Sequence, residues 1–249
     1  MKYLEKTYKI PSNGVFDGPK EITLREMTTK EEKIMLGTKD LSIFERLVKS
    51  CTIDGEFDFN KIHSLDTMYL TFMLRELTFG PEYAQETVCP HCGAKQNVII
   101  NINEMPVKCL TDEEAQKLKD GIVLTLSTGD KITLNLISMG QSNHIENIIK
   151  QKVQHNRLKD PDTFEAMLRL AAAIKSIEPE ESTDIDYTLD ENKLQYLDEL
   201  RLRDLNHIQA ELGKIDFGLD RKVYRTCERC NEQMEVTGYI VPEFFHPSK

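Results

Sequence analysis

Two Cys-x-x-Cys pairs constrain the fold of this chain more than any other feature of its sequence. The cysteines of these pairs are Cys89 and Cys92, then Cys227 and Cys230. Two thiolates in a tight turn can bind one metal ion, and the residue after the second cysteine often takes a left-handed conformation. Gly93 follows the first pair and Asn231 follows the second, and these residue types adopt that conformation most readily. The two pairs therefore suit the two halves of one tetrahedral, four-thiolate zinc site.

The separation of the pairs bears on what such a site would do. The intervening stretch, residues 93–226, is 134 residues long, whereas a compact zinc finger separates its pairs by roughly 12 to 20 residues. The entropic cost of closing a loop grows only with the logarithm of its length, so a domain-sized insertion is compatible with one shared site. We therefore predict one structural zinc ion bound by all four cysteines, although the ligand types do not by themselves separate zinc from iron.

The remaining cysteines and histidines are not expected to be ligands. Cys51 and Cys109 stand alone in the sequence, which predicts small buried hydrophobic residues. His91 lies within the first pair, but because four thiolates are available we expect it to be exposed and non-ligating. No residue is predicted to be catalytic, since the sequence contains no Walker A loop, G-x-S-x-G, H-E-x-x-H or dinucleotide fingerprint.

Two enzymatic interpretations of the cysteines are alternatives. CPHC, residues 89–92, is also the active-site tetrapeptide of disulfide oxidases, in which the first cysteine begins a helix. Here β-prone residues follow the motif and no export signal opens the chain, which disfavours a thiol–disulfide oxidoreductase. A zinc deaminase requires H-x-E together with P-C-x-x-C. His144 and Glu146 match the first half, but proline precedes neither cysteine pair.

Composition disfavours a secreted protein, a membrane protein and a nucleic-acid-binding protein. Six cysteines in 249 residues are too few for a disulfide scaffold, and the opening MKYLEKTYKI lacks the apolar core of a signal peptide. No apolar run approaches the roughly 18 to 20 residues that a membrane helix needs. The net charge of −10 opposes phosphate binding, so a nucleic-acid-binding zinc ribbon is disfavoured. We expect a protein of a reducing cytosol.

Hydrophobic periodicity predicts an α+β fold. Strand-like alternation marks residues 1–27, the stretches around the two cysteine pairs, and the hairpin IVLTLSTGDKITLNLI at 122–137. Helical periodicity and capping signals predict helices after Thr28 or Thr29 with a break near Gly37, at 64–79 with Ser64 as the cap, and near 139–156, 161–177 and 190–212. We therefore expect helices around two β-turn-β zinc-knuckle units that join in one zinc-ribbon-like clamp.

Three segments are predicted, either as parts of one integrated domain or as separate units. They are an N-terminal α+β segment with the first cysteine pair (1–103), a central β-hairpin and helical segment (104–189), and a C-terminal segment with a helix, the second pair and an aromatic tail (190–249).

Four stretches of the sequence, taken in order, carry a resemblance to a known family. They are ITLREMTTKEEK, DTMYLTFMLRELTFGPEYAQETVCPHCG, LDELRLRDLNHIQAELGKIDFGLDRKVYRTCERC and VPEFFHPS. The chain resembles the baseplate hub and hub-assembly protein family of T-even-type tailed bacteriophages, from about residue 20 to its end. The most specific parts are the segment from Arg75 to Tyr83 that leads into the first pair, and the second pair followed by Phe244 and Phe245.

The resemblance implies a non-enzymatic protein that helps to build the central hub of a contractile-tail baseplate. Such a protein would be an assembly factor, akin to a chaperone, or a component of the hub, and its partners would be other phage baseplate hub or tail proteins. It would act in the host cytoplasm or remain in the virion tail baseplate. The resemblance also implies that the four cysteines are structural metal ligands. We expect the contact surfaces to be the tail residues Phe244 and Phe245 and the apolar positions of the helix at 190–212.

Overall fold

The computed structural model describes residues 2–37, 42–53, 55, 57–155, 160–181, 183–240 and 242–245. Within these residues the chain combines helices with small antiparallel sheets and is therefore α+β, as predicted. The α-helices are α1 (Thr29–Gly37), α2 (Ser42–Cys51), α3 (Ser64–Phe79), α4 (Asp112–Asp120), α5 (Met139–Gln154), α6 (Pro161–Ala173), α7 (Asp190–Glu199) and α8 (Leu202–Gly213). The strands are β1 (Glu5–Lys9), β2 (Glu21–Arg25), β3 (Glu82–Val88), β4 (Lys95–Asn101), β5 (Val107–Lys108), β6 (Ile122–Thr125), β7 (Lys131–Leu134), β8 (Ile174–Glu178), β9 (Gly218–Leu219), β10 (Lys222–Thr226) and β11 (Gln233–Thr237). Single turns of 3-10 helix lie at Phe59–Lys61, Ile102–Glu104 and Pro242–Phe245.

The described strands pair into antiparallel sheets of two or three strands. The pairs are β1–β2, β3–β4, β5–β9 and β10–β11, and the three-stranded sheet has the order β6–β7–β8. A two-stranded sheet buries too little apolar surface to be stable alone, so these sheets depend on the helices and on one another. The β3–β4 pair is here called the first hairpin and the β10–β11 pair the second hairpin.

Helix α3 begins and ends as the sequence predicts, at residues 64 and 79, but its cap is one residue earlier. Nδ1 of His63 accepts a hydrogen bond from the backbone N–H of Leu65 over 3.2 Å. The Asp66 carboxylate accepts from the backbone N–H of His63 over 2.7 Å and completes the capping box. The prediction of Ser64 as the cap is wrong because Asp66 is placed to pair with His63.

The larger hydrophobic core joins the N-terminal and C-terminal parts of the chain. Its buried members include Tyr8, Ile22 and Leu24 from the β1–β2 sheet, Leu70, Phe72 and Leu74 from α3, Tyr83, Val98 and Ile100 from the first hairpin, and Val223, Met234 and Val236 from the second hairpin. The two hairpins, far apart in sequence, therefore share one core. The boundaries after residues 103 and 189 stay predictions.

A second core lies in the central part of the chain. Its buried members are Leu124, Leu126, Ile132, Leu134, Leu170, Ala171, Ile174, Ile177, Leu197 and Ile208. The last two residues belong to the predicted helix at 190–212, and Leu194 and Leu205 pack against the same core. These positions therefore do not form the exposed contact surface that the sequence suggested.

The segment 190–212 also forms two helices instead of one. Leu200 and Arg201 have extended backbone conformations between α7 and α8. The first turn of α8 is fixed by Asp204, whose carboxylate accepts hydrogen bonds from Ser127 N over 2.9 Å and Ser127 Oγ over 2.5 Å. This attachment to the turn between β6 and β7 sets the start of α8. The sequence itself gives no sign of the break, because neither glycine nor proline stands there.

Two further differences from the predicted elements lie in the central part. Helix α6 ends at Ala173, and Ile174–Glu178 continues as β8, in which Ile174 and Ile177 are paired with β7. Helix α4 was not predicted, although Thr111 and Glu114 form a capping box that marks its start in the sequence.

The C-terminal tail belongs to the core. Phe244 is 0% exposed and Phe245 is 7% exposed. The Phe244 ring makes edge-to-face contacts with the rings of Phe72 and Tyr83, each with a centroid separation of 4.9 Å. The prediction that this aromatic pair is a free contact surface is therefore wrong, because helix α3 and strand β3 already cover it.

Candidate metal centre

The two cysteine pairs lie in turns of the same construction, one at the end of each hairpin. In the first hairpin, Cys89 N donates to Ala94 O and Gly93 N donates to Cys89 O, both over 2.9 Å. In the second hairpin, Cys227 and Asn231 make the equivalent two bonds at the same distances. Each turn therefore presents its cysteine side chains from a closed, hydrogen-bonded loop.

The residues that follow the cysteine pairs have the conformation that the sequence predicts. Gly93 has φ 69° and Asn231 has φ 61°, both in the left-handed region. Glycine has no Cβ to clash there, and asparagine tolerates the region better than most other residues. The choice of these two residues is thus explained by the backbone of the turns.

The fold brings the four thiols together from the two hairpins. The Sγ atoms of Cys89 and Cys230 are 3.7 Å apart, as are those of Cys92 and Cys227. All four Sγ atoms lie within 4.8 Å of one another. Each thiol therefore has a close neighbour in the opposite pair, although 134 residues separate the two pairs in sequence.

These separations fit a shared metal ion. Thiolates bound to zinc at about 2.3 Å in a tetrahedron are roughly 3.8 Å apart, whereas a disulfide requires an S–S distance of about 2.05 Å. The four cysteines could therefore hold one ion without a large movement of either turn. Cys89 and Cys227 are buried, while Cys92 and Cys230 are partly exposed, so the cluster lies at the edge of the core.

Backbone N–H groups and neighbouring thiols shift the pKa values of Cys227 and Cys230 in opposite directions. The backbone N–H of Cys230 donates to the Cys227 sulfur and lowers the pKa of that thiol to about 6. A backbone hydrogen bond at Glu232 lowers the pKa of Cys230, but burial and the Cys227 thiol raise it to about 12. Because a metal ion binds the deprotonated thiolate, a cation bound by all four sulfurs would displace protons from the cluster.

Polar side chains hold the two hairpins together around the cluster. Gln96 Oε1 in the first hairpin accepts from the backbone N–H of Glu228 over 3.1 Å, within the second cysteine pair. Gln85 joins the far ends of the hairpins, because its Nε2 donates to Thr237 O over 2.9 Å. Arg225 donates from Nε to Ile99 O over 2.7 Å. These contacts orient the turns so that the thiols face one another.

The other candidate residues lie outside the thiol cluster. His91 is exposed, as predicted, and its Nε2 lies 3.3 Å from Gln233 O. Cys51 is buried, as predicted, but Cys109 is exposed, so that prediction is wrong: it lies on a surface segment between β5 and α4. Glu146 of the H-x-E motif lies on α5, where its carboxylate is within 3.8 Å of Lys150 Nζ.

Comparison with known protein families gives a match. Residues 3–246 match the family model described as T4 bacteriophage base plate protein, which covers nearly the whole chain. The comparisons with curated proteins and with solved structures give no match. Among the described residues, no helix has both the length and the apolar character that a membrane crossing requires.

Proposed function

Because the chain belongs to the T4 bacteriophage base plate protein family, we propose that it acts without enzymatic activity in assembly of the baseplate hub. The match over residues 3–246 carries this proposal. The four stretches that resemble hub and hub-assembly proteins favour the hub over other parts of the baseplate. In this role the chain binds other tail proteins in the host cytoplasm, as a chaperone-like assembly factor that the finished virion does not require.

The metal in this proposal is a structural zinc ion. Its ligands are Cys89, Cys92, Cys227 and Cys230, whose mutual distances suit a tetrahedral set of thiolates. Four protein ligands leave no open position for a water molecule or a substrate, which is typical of structural zinc and not of catalytic zinc. Zinc bound there would link the first hairpin to the second and so stabilise the core that the two hairpins share.

The alternative, a thiol–disulfide oxidoreductase that uses Cys89 and Cys92, has less support. A catalytic cysteine of that class begins a helix, whose N-terminus stabilises the thiolate. Here the motif leads into strand β4. The Sγ atom of each of these two cysteines lies 3.7 Å from a cysteine Sγ of the opposite pair.

Partner capture tests the proposed function. A tagged full-length chain would be produced together with the other baseplate proteins of its phage and purified under reducing conditions. We expect baseplate hub proteins to co-purify. If the wild-type chain retained its metal and yet captured no tail protein, the assembly role would be wrong.

A matched pair of variants connects the metal site to partner binding. Cys227→Ser removes a buried cysteine of the cluster, whereas Cys109→Ser removes an exposed cysteine outside it. We expect the first variant to lose both metal and partners and the second to retain both.

Detection of the chain in assembly intermediates but not in purified virions would distinguish an assembly factor from a permanent component.

A further inference from the structure

Strand β1 is paired on one side only. Among the described strands its hydrogen-bonded neighbour is β2. The bonds that flank the pairing are Glu26 N to Leu4 O, at 2.9 Å, and Ile10 N to Lys20 O, at 2.8 Å. Because hydrogen-bonded pairs alternate along an antiparallel ladder, the even-numbered residues of β1 bond to β2. The backbone groups of its odd-numbered residues point to the opposite, open edge.

The odd-numbered residues Glu5, Thr7 and Lys9 therefore offer a row of N–H and C=O groups at this edge. Within the part of the chain that the structure describes, none of these backbone groups has a hydrogen-bond partner. The side chains of all three residues are exposed, and neither Glu5 nor Lys9 is in an ion pair with a described residue. An edge of this kind is a template for another strand.

The even-numbered residues of β1 hold the strand on helix α3. Tyr8 is buried, and its hydroxyl donates to Met73 O over 3.4 Å. Lys6 Nζ lies 3.3 Å from the Glu76 carboxylate. The edge is consequently held in an extended form before any partner arrives, so pairing would not incur the entropic cost of ordering the strand.

We propose that β1 pairs antiparallel with β1 of a second copy of this chain, about a two-fold axis at Thr7. This arrangement sets Glu5 of each copy opposite Lys9 of the other and Thr7 opposite Thr7. Each of these pairs has its backbone groups on the open edge, so each can exchange both hydrogen bonds of an antiparallel pair. The two Glu–Lys pairs add attraction on the exposed face.

The charges of the neighbouring strands favour the same arrangement. In the existing sheet, Arg25 stands opposite Glu5 and Glu21 stands opposite Lys9. A four-stranded sheet built about the two-fold axis extends these rows so that positive and negative residues alternate across all four strands. Charged residues on an edge usually prevent association because like charges meet. In this register unlike charges meet, which favours a second copy over an unrelated strand.

Charge complementation between two variants of the full-length chain tests the proposal. Glu5→Lys places two lysines opposite each other in every charged pair, and Lys9→Glu places two glutamates there. Sedimentation equilibrium should show that wild type dimerises and that each variant alone dissociates at least about tenfold more readily. An equimolar mixture of the two variants should form heterodimers, since each lysine then meets a glutamate.

The mixture separates association from folding. Either substitution also places a like charge opposite Arg25 or Glu21 within its own hairpin, and mixing cannot repair a folding defect of that origin. A wild-type chain that stays monomeric at all concentrations, single variants that dimerise as wild type does, or a mixture that stays monomeric would overturn the proposal.

A proline at the centre of the edge gives a test that leaves every charge in place. Thr7→Pro removes an N–H group that β2 does not use, and proline is tolerated on strand edges. We expect a monomer with the metal content and far-ultraviolet circular dichroism of wild type. A Thr7→Pro chain that is folded and still dimeric would place the interface elsewhere.

Discussion

Arg75 Nε donates a hydrogen bond to the carbonyl oxygen of Phe244 over 3.0 Å and so joins helix α3 to the C-terminal tail. The Arg75 side chain is buried, and its terminal nitrogens donate to the carbonyl oxygens of Gly80 and Glu82. A buried cation requires such acceptors, because removing them leaves its desolvation uncompensated. The tail therefore completes the environment of Arg75 as well as the aromatic core.

Removal of the Phe244 ring should destabilise the fold. Phe244→Ala would leave a cavity beside Phe72 and Tyr83, and we expect the free energy of unfolding to fall by about 3–5 kcal/mol. Urea unfolding of the purified chain measures this change. Leu36→Ala is the control, since Leu36 is 81% exposed and should change stability by less than about 0.5 kcal/mol. Wild-type stability in Phe244→Ala together with lost partner binding would instead make the tail a contact surface.

Both cysteine pairs should be necessary for one bound ion. We expect about one zinc per chain in wild type and none in the double variants Cys89→Ser/Cys92→Ser and Cys227→Ser/Cys230→Ser, because two remaining thiolates bind zinc weakly. Metal analysis by mass spectrometry after desalting provides the measurement. A full equivalent of zinc in both double variants would show that the pairs do not share a site.

Chelation of the metal should loosen the two hairpins more than the central sheet. The thiols of Cys89 and Cys227 belong to the core that contains the hairpins, whereas β6, β7 and β8 contribute to the second core. Hydrogen–deuterium exchange with and without a chelator should therefore show the larger increase in β3, β4, β10 and β11. An equal increase in both regions would indicate that the two cores unfold together.

Glu31 should make the stability of the chain depend on pH. Burial raises its pKa, but hydrogen bonds from Arg25, Ser50 and Thr28 outweigh burial and lower it from 4.5 to about 2. The pKa of Glu31 is lower in the folded state than in the unfolded state. The ionised carboxylate therefore stabilises the fold fully at pH values above its ordinary pKa of 4.5, and this contribution is lost as the pH falls towards about 2.

Glu31→Gln should therefore reduce the free energy of unfolding at neutral pH by on the order of 2 kcal/mol and reduce it less in acid. Urea unfolding at pH values above and below the ordinary pKa of Glu31 measures both effects. Glu32→Gln is the matched control, because Glu32 is exposed at the next position. If wild type and Glu31→Gln lost stability in parallel on acidification, the pH dependence would arise elsewhere.

Local sequence signals predicted the turns of the candidate metal centre well. The left-handed backbone at Gly93 and Asn231 depends on the residue itself and on the tight turn around it. The strands beside these turns and the helix at 64–79 likewise follow from alternation and periodicity within short stretches. The resemblance to T-even-type baseplate proteins is confirmed at the level of the family by the match over residues 3–246.

The incorrect predictions concern residues whose environment is set by distant parts of the chain. Phe244 is covered by Phe72 and Tyr83, which lie more than 150 positions earlier in the sequence. The break between α7 and α8 follows from the hydrogen bond between Asp204 and Ser127. Ser127 lies in a turn, 77 positions before Asp204. Neither contact leaves a signal in the neighbouring sequence, so periodicity alone predicted a free tail and one continuous helix.

The adjacency of the two cysteine turns sets the route by which tension would cross the molecule. With an ion bound, a force that pulls the two ends of the chain apart would pass from the first hairpin to the second through the sulfur–metal bonds. The covalent path between the two cysteine turns, residues 93–226, would then be bypassed, so the helices between β4 and β10 would carry less of that force. The cluster would limit how far residues 93–226 could be drawn out, while the segments before Cys89 and after Cys230 would still yield through their non-covalent contacts.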